Sequence, residues 1–457
     1  MANEIETDVV VIGMGIGGEA VAGTLAERGL DVVGIESELV GGECPYWGCL
    51  PSKMIVRAAG LLAEARRVDG VAGTVTVEPD FGPVASRISE EATDGWNDQV
   101  AVDRFVGKGG HFVRGAGRLD GPDRVIVGDT TYVARRGVVL ATGTSAFIPP
   151  VDGIGAVDAW TNREAVSAKE LPQSLITLGA GAIGLELSQS FARFGTSVTV
   201  VEAQDRILPL EEPEASEAVQ EVLEAEGIAV HTGQPATAVR REGDQVVATL
   251  VDGTELRADQ LLVSVGRRAN LHGIGLETIG IDPDAERFLP VDDELVVTDG
   301  VWGLGDVVGK GLFTHSAAHQ AKIVVSAILG EDEEVGRSAD AFVPRATFTD
   351  PEVGSVGLSE ASAREAGIDV AVATQRVPWS ARGWLHGPGN EGVIKLVADT
   401  DRQVLVGATS VGPHGGEVLG LLALAVHAEI PIPTLRSMIY AYPTFHRGIE
   451  DALNQLG

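Results

Sequence analysis

The sequence predicts an α/β protein built on parallel sheets, and two observations carry that reading. An apolar run, a glycine-rich turn, a helical pattern and a second apolar run ending in a carboxylate follow one another near the start of the chain and again in its middle. The 457 residues are also rich in Gly, Val and Ala, with enough apolar content for two to four domains with real cores.

The first copy begins with the apolar run Val9 to Ile12, continues through Gly13-Met14-Gly15-Ile16-Gly17-Gly18 and enters a helical pattern marked by Ala22, Leu25 and Ala26. In such a turn the first glycine makes the bend, the second lets the backbone approach a pyrophosphate, and the third allows the helix to pack closely; Gly13, Gly15 and Gly18 fill these positions. Val32 to Ile35 is the next strand, and Glu36 stands at its end, at the separation that suits a ribose hydroxyl. The second copy runs Ile176 to Leu178, then Gly179, Gly181 and Gly184, a helix to Phe194, and Val198 to Val201 ending at Glu202. Two copies with both acids in place predict two Rossmann-like dinucleotide-binding domains. A carboxylate accepts from a free 2'-hydroxyl and repels a 2'-phosphate, so Glu202 favours NADH over NADPH. Arg206 is the counterargument, as a phosphate ligand, unless it pairs with Asp205 or Glu202.

Sixty-six acidic and thirty-four basic residues give a net charge of -32, which argues against nucleic acid and anionic membrane surfaces as partners. No apolar stretch reaches the length of a membrane span; Val418 to Val426 is the best and reads as a buried helix. Met1 to Thr7 leads directly into an apolar strand without a leader pattern, so a cytoplasmic location is expected.

The two cysteines of the chain are Cys44 and Cys49, a C-x4-C pair about thirty residues after the first glycine turn. A loop so small would stabilise a chain of this size very little, which points to redox chemistry. The segment Gly41-Gly42-Glu43-Cys44-Pro45-Tyr46-Trp47-Gly48-Cys49-Leu50-Pro51-Ser52-Lys53 resembles the redox-active disulfide of the FAD-dependent pyridine nucleotide-disulfide oxidoreductases, in their dihydrolipoamide dehydrogenase and mercuric reductase branch. Ala141-Thr142-Gly143 and Ser264-Val265-Gly266-Arg267-Arg268 resemble the strand-to-loop crossings that close the two nucleotide domains. Gly303-Leu304-Gly305-Asp306 resembles the motif whose aspartate binds the flavin ribityl chain, and Lys53 and Glu186 match the pair beside the flavin.

The resemblance implies FAD at the first site, with Gly42 among its contacts, and a nicotinamide coenzyme at the second. It implies an FAD domain over 1–150, an NAD(P) domain over 151–270, a segment over 271–340 that completes the FAD site, and an α+β dimerisation domain over 341–457. Gly- and Pro-rich stretches at Pro149-Pro150 and Pro344 suit those cuts. It also implies a homodimer with an active site shared between subunits. Electrons would pass from NAD(P)H through FAD to a Cys44–Cys49 disulfide and on to a small disulfide substrate, or in reverse from a dithiol. Cys49 would face the flavin from the start of a helix through Met54 to Ala65, whose N-terminus favours a thiolate, and Cys44 would attack the substrate.

The C-terminal motif departs from the family. In Tyr440-Ala441-Tyr442-Pro443-Thr444-Phe445-His446-Arg447, Tyr442 stands at the family's histidine and Arg447 at its glutamate. Three readings follow: Tyr442 donates a hydrogen bond to a substrate that needs no base; His446 carries the proton with Glu450 orienting it; or both aromatics pack an interface. Mercury reduction is disfavoured because it needs a further thiol pair, and no third cysteine exists. Tyr46 and Trp47 either shape the substrate face or pack, and Trp379, Arg382, Trp384 and His386 form a polar-aromatic cluster expected on a loop. The competing functions are a diaphorase or quinone-type reductase and an electron-delivering partner module, with the cysteines auxiliary in both.

Overall fold

The structure, a computed structural model, describes residues 3–331 and 342–456. Its chain divides into two units, one of Met1–Pro51, Ser86–Phe147 and Arg267–Asp340, the other of Ser52–Ala85, Ile148–Gly266 and Ala341–Gly457.

In the first unit, strand β1 (Asn3–Ile12), helix α1 (Ile16–Glu27) and strand β2 (Val32–Glu36) follow the predicted order. β1 pairs in parallel with β2 on one side and with Thr130–Leu140 on the other, within an eight-stranded sheet. Both faces of β1 are covered, which is why Val9, Val10 and Val11 form a continuous apolar run rather than an alternating one. On one face Val9 and Val11 join Val21 and Leu25 of α1 and Ala321 and Val324 of the helix Thr314–Leu329. On the other, Val10 and Ile12 pack with Leu119, Val125 and Leu276. Two further helices, α2 (Glu43–Trp47) and α3 (Cys49–Arg66), succeed β2.

In the second unit, strand β3 (Ser174–Leu178), helix α4 (Ala182–Arg193) and strand β4 (Ser197–Val201) repeat the device. β3 lies between β4 and Gln260–Val263 in a parallel four-stranded sheet. One face packs against an antiparallel three-stranded sheet through Ile176, Leu178, Val246 and Ala248. The C-terminal part of this unit is a five-stranded antiparallel sheet whose apolar face carries the helices Gly415–His427, Ile432–Ser437 and Arg447–Leu453. The apolar Val418 to Val426 is thus a core helix, and among the described residues no helix is long and apolar enough to cross a membrane.

Candidate active site

The glycines of the two turns divide by what surrounds them. A side chain at Gly13, where φ is +94°, would lie 2.3 Å from the Ala141 carbonyl oxygen, and one at Gly18 would lie 2.0 Å from that of Gly13. Gly179 and Gly184 are confined in the same way by the carbonyls of Ser264 and Gly179, at 2.6 and 2.2 Å. The middle glycines differ. Gly15 and Gly181 have extended backbones open to any residue, at φ -67° and -82°, and a side chain would meet only the Gly42 Cα at 4.0 Å in the first case and nothing within 4 Å in the second. Protein packing does not demand glycine there. A backbone-hugging pyrophosphate does, and both glycines N-cap helices of 12 residues that lack a capping side chain, leaving N–H groups for an anion. The residues therefore fit a dinucleotide at each turn.

Glu36 and Glu202 serve their turns identically. Glu36 accepts from the Met14 N–H at 2.8 Å and the Glu38 N–H at 2.8 Å; Glu202, 8% exposed, accepts from the Ala180 N–H at 2.7 Å and the Gln204 N–H at 2.9 Å. Each carboxylate thus sits at the mouth of its glycine turn.

The cysteine segment is held against the first turn. Gly41 forms a bridge with Gly15, its N–H donates to the Met14 carbonyl at 2.7 Å, and a side chain on Gly42, at φ +68°, would come within 2.9 Å of the Gly15 Cα. Cys44 lies on α2, and Cys49 is the first residue of the 18-residue α3. Cys44 is half-buried and Cys49 exposed, and the two form no disulfide here. A hydrogen bond with Cys49, then burial, push the Cys44 thiol up, and the α3 N-terminus favours negative charge on Cys49. Thr314 Oγ1 stands 3.5 Å from Cys49 Sγ and also hydrogen-bonds Cys44.

Lys53, one turn beyond Cys49 on α3, pairs with Glu186 of α4 at 2.6 Å. Glu186 is 4% exposed, and its other oxygen accepts the Phe348 N–H at 2.8 Å, while the Lys53 ammonium lies 4.8 Å from the Phe348 ring centre. Such a buried carboxylate is fully satisfied, as its burial requires.

Asp306 lies in the short 3-10 turn Gly305–Val308, where the Gly305 N–H donates to Gln320 Oε1 at 2.7 Å. Burial raises the Asp306 carboxyl above its ordinary range, opposed by the Thr144 hydroxyl, which donates to it at 3.0 Å, and by Arg267. Arg267 in turn donates to the Thr144 hydroxyl and carbonyl, at 2.6 Å each, and reaches Glu43 at 3.4 Å. At the crossing, the Thr142 hydroxyl donates to the Asn270 carbonyl at 2.9 Å and Gly143 takes φ +66°; at the other crossing Gly266 takes φ +127°.

Among the C-terminal residues, Tyr442 is 74% exposed and His446 N-caps the helix Arg447–Leu453. Glu450, expected to orient His446, is paired with Arg447. Phe445, three residues beyond Tyr442, is packed by His386, His414 and Arg382. Trp379 and Trp384 lie not on a loop but on two short helices, Val377–Trp379 and Ala381–His386, with the Ser380 side chain accepting the Gly383 N–H. Tyr46 is buried whereas Trp47 is partly exposed. Arg206 pairs with neither Asp205 nor Glu202: it donates to the carbonyls of Leu208, Pro209 and Glu211 and to the Ser216 hydroxyl. Sequence reasoning missed Thr314, Thr144 and Phe348, which no local motif marks.

Residues 7–321 match the pyridine nucleotide-disulphide oxidoreductase family, and residues 343–453 match its dimerisation domain. A dihydrolipoyl dehydrogenase from Thermus scotoductus is 32% identical over 467 residues, covering 98% of this chain and 97% of the relative. A mercuric reductase from Streptomyces lividans is 32% identical over 459 residues, covering 97% and 94%. Among solved structures, a Cu(II) complex of the HOCl-induced flavoprotein disulfide reductase RclA from Escherichia coli superposes with a TM-score of 0.86 at 26% identity over 98% of this chain and 99% of the other. LpdA from Mycobacterium tuberculosis gives 0.85 at 25% identity over 98% and 99%.

Proposed function

Because the chain belongs to the pyridine nucleotide-disulphide oxidoreductase family, whose members are FAD- and NAD-dependent oxidoreductases acting on sulfur groups, we propose that it relays electrons between NADH and a small disulfide through Cys44 and Cys49. The first glycine turn then holds FAD and the second the nicotinamide coenzyme, the four-part division at about residues 150, 270 and 340 follows, and the working form is a homodimer with its active site shared between subunits.

The observation that carries the reading is the placement of the thiol pair: Cys44 lies on α2, Cys49 opens α3, and Gly41 and Gly42 fasten the segment to the first turn. When bound, FAD supplies two-electron acceptance from the coenzyme and delivery to the sulfurs. The chain's own groups do the rest. Asp306 accepts from a ribityl hydroxyl, and Lys53, held by Glu186, presents an ammonium one turn from Cys49. In exchange, the reduced pair with one proton and one negative charge takes up a further proton and converts a disulfide to two thiols, leaving the Cys44–Cys49 bond. Tyr442 is the exposed donor for that substrate.

Glu202 supports NADH, and the commitment of Arg206 to four acceptors removes the cation that a 2'-phosphate would need.

Anaerobic titration with NADH tests the relay. Two electrons should produce a long-wavelength thiolate-to-flavin band that is absent in Cys49→Ser, and Cys44→Ser should abolish turnover of disulfides. Direct bleaching without the band, with quinone turnover retained in Cys44→Ser, would instead make this a diaphorase with auxiliary cysteines. Tyr442→Phe and His446→Ala separate the proton readings: the variant that slows reoxidation by a disulfide identifies the donor, and if neither does, both assignments fall.

A further inference from the structure

We propose that Thr314 is a further catalytic residue, whose hydroxyl hydrogen-bonds whichever sulfur of the Cys44–Cys49 pair carries the negative charge. The inference deepens the relay reading and rests on it. Thr314 Oγ1 lies 3.5 Å from Cys49 Sγ, and a hydrogen bond from Thr314 lowers the Cys44 thiol against the rise from Cys49 and burial, so one hydroxyl acts on both reacting sulfurs. It is the first residue of the 16-residue helix Thr314–Leu329, which has no side-chain cap, so a second helix N-terminus meets the pair in addition to that of α3.

A hydroxyl has one proton to donate and lone pairs to accept with, so it can donate to a thiolate while accepting from the neighbouring thiol. Such a hydroxyl has a use at each step of disulfide exchange. With the pair's one proton passed to Cys49, the Cys44 thiolate attacks the substrate: the Cys44–S bond forms, the substrate S–S bond breaks, and the first thiolate leaves with that proton, so that Cys49 becomes the thiolate. The Cys49 thiolate then attacks Cys44, forming the Cys44–Cys49 bond and expelling the second thiolate. The negative charge on the enzyme moves from one sulfur to the other, and rotation about one C–O bond lets Thr314 follow it. Thr314 supplies this hydrogen bond from the same subunit, in a chain whose expected histidine is replaced by Tyr442.

On the elements that carry the pair and Thr314, the titratable groups nearest in sequence are Glu43 and Tyr46 on α2, Lys53 on α3 and His315 beside Thr314; Arg267 reaches Glu43 at 3.4 Å. Thr314→Val leaves all of these in place and removes only the hydroxyl.

The test is the pH dependence of iodoacetamide alkylation of each cysteine in the chemically reduced, flavin-loaded protein, mapped by peptide mass. Thr314→Val should move the inflection up by about one pH unit, with about tenfold slower alkylation below it, and Thr314→Ser should restore the native profile. Should the valine variant lose flavin, Thr314→Ala carries the same measurement. A profile in Thr314→Val or Thr314→Ala that overlays the native one would overturn the assignment. This readout does not depend on NADH, so a native enzyme that shows no thiolate-to-flavin band would fail the relay while the alkylation profile still judged Thr314.

Discussion

The two glycine turns share a backbone and differ in what lies over the middle glycine. In both, the outer glycines are confined by carbonyl oxygens 2.0 to 2.6 Å from where a side chain would begin, and a glutamate ties the turn from the next strand. Over Gly15, however, the segment Gly41–Gly42 is laid down by a bridge and a close backbone approach, whereas among the described residues nothing beyond its own helix and chain neighbours lies within 4 Å of where a Gly181 side chain would begin. A roofed turn suits a cofactor that stays, and an open one suits a coenzyme that arrives and leaves. Under the proposed relay, the structural repeat separates two uses by covering one copy with the segment that carries the thiols.

The largest effect should come from breaking a turn itself. Gly18→Ala puts a methyl group 2.0 Å from the Gly13 carbonyl oxygen, which the backbone must move to admit, at a cost of about 1–3 kcal/mol, and flavin binding should be lost with it. Denaturant unfolding and flavin content check both. The middle glycines sharpen the contrast: Gly15→Ala should fold but emerge without flavin, while Gly181→Ala should keep flavin and raise the KM for NADH by about tenfold or more, through lost contact with the pyrophosphate. If Gly181→Ala lost flavin and Gly15→Ala changed only the KM, the assignment of the two sites would be reversed.

A smaller effect is expected at Asp306, where function and stability oppose each other. Burial raises its carboxyl above the ordinary 3.8, so the folded chain holds that proton more tightly than the unfolded one. The ionised group therefore costs stability at pH above the raised value, and the cost vanishes as pH falls through it. Asp306→Asn should make the flavin-free protein at least as stable as the native one at pH 7, with the advantage shrinking toward pH 4, and should weaken flavin binding about tenfold or more through the lost charged acceptor. A less stable apoprotein at pH 7 would contradict the desolvation argument.

What the sequence disclosed was whatever repeats or clusters locally. The glycine turns, Glu36, Glu202 and the C-x4-C segment lie within short windows whose geometry is imposed by neighbours in the chain, and α3 begins at Cys49, at the start of the helix expected through Met54 to Ala65. Thr314 was invisible because it reaches Cys49 across 265 residues, and Phe348 because it offers Glu186 a backbone N–H that any residue possesses. Helical spacing pointed from His446 to Glu450, which Arg447 takes instead. The cluster around Trp379 and Trp384 looked like a loop because of its glycines, but Ser380 caps a short helix there, a signal that was present and outweighed.

Arg206 offers the finest test of the contrast between the turns, since it stands four residues beyond Glu202 and looks from sequence like a ligand for a 2'-phosphate. Its guanidinium instead gathers the carbonyls of Leu208, Pro209 and Glu211 and the Ser216 hydroxyl, at 2.7 to 3.3 Å, and so shapes the loop that follows β4. Charge-assisted bonds of this kind contribute about 1.5–3 kcal/mol when their partners are buried, and partial exposure reduces that. Arg206→Ala should therefore lower the unfolding midpoint while leaving the ratio of kcat/KM for NADH over NADPH within about twofold of native. The ratio should collapse only when Glu202 is changed, because removing its carboxylate removes the repulsion that excludes a 2'-phosphate. A large change of ratio in Arg206→Ala, in either direction, would mean that the guanidinium leaves its carbonyls when coenzyme binds, and the second turn would then be less open than it stands here.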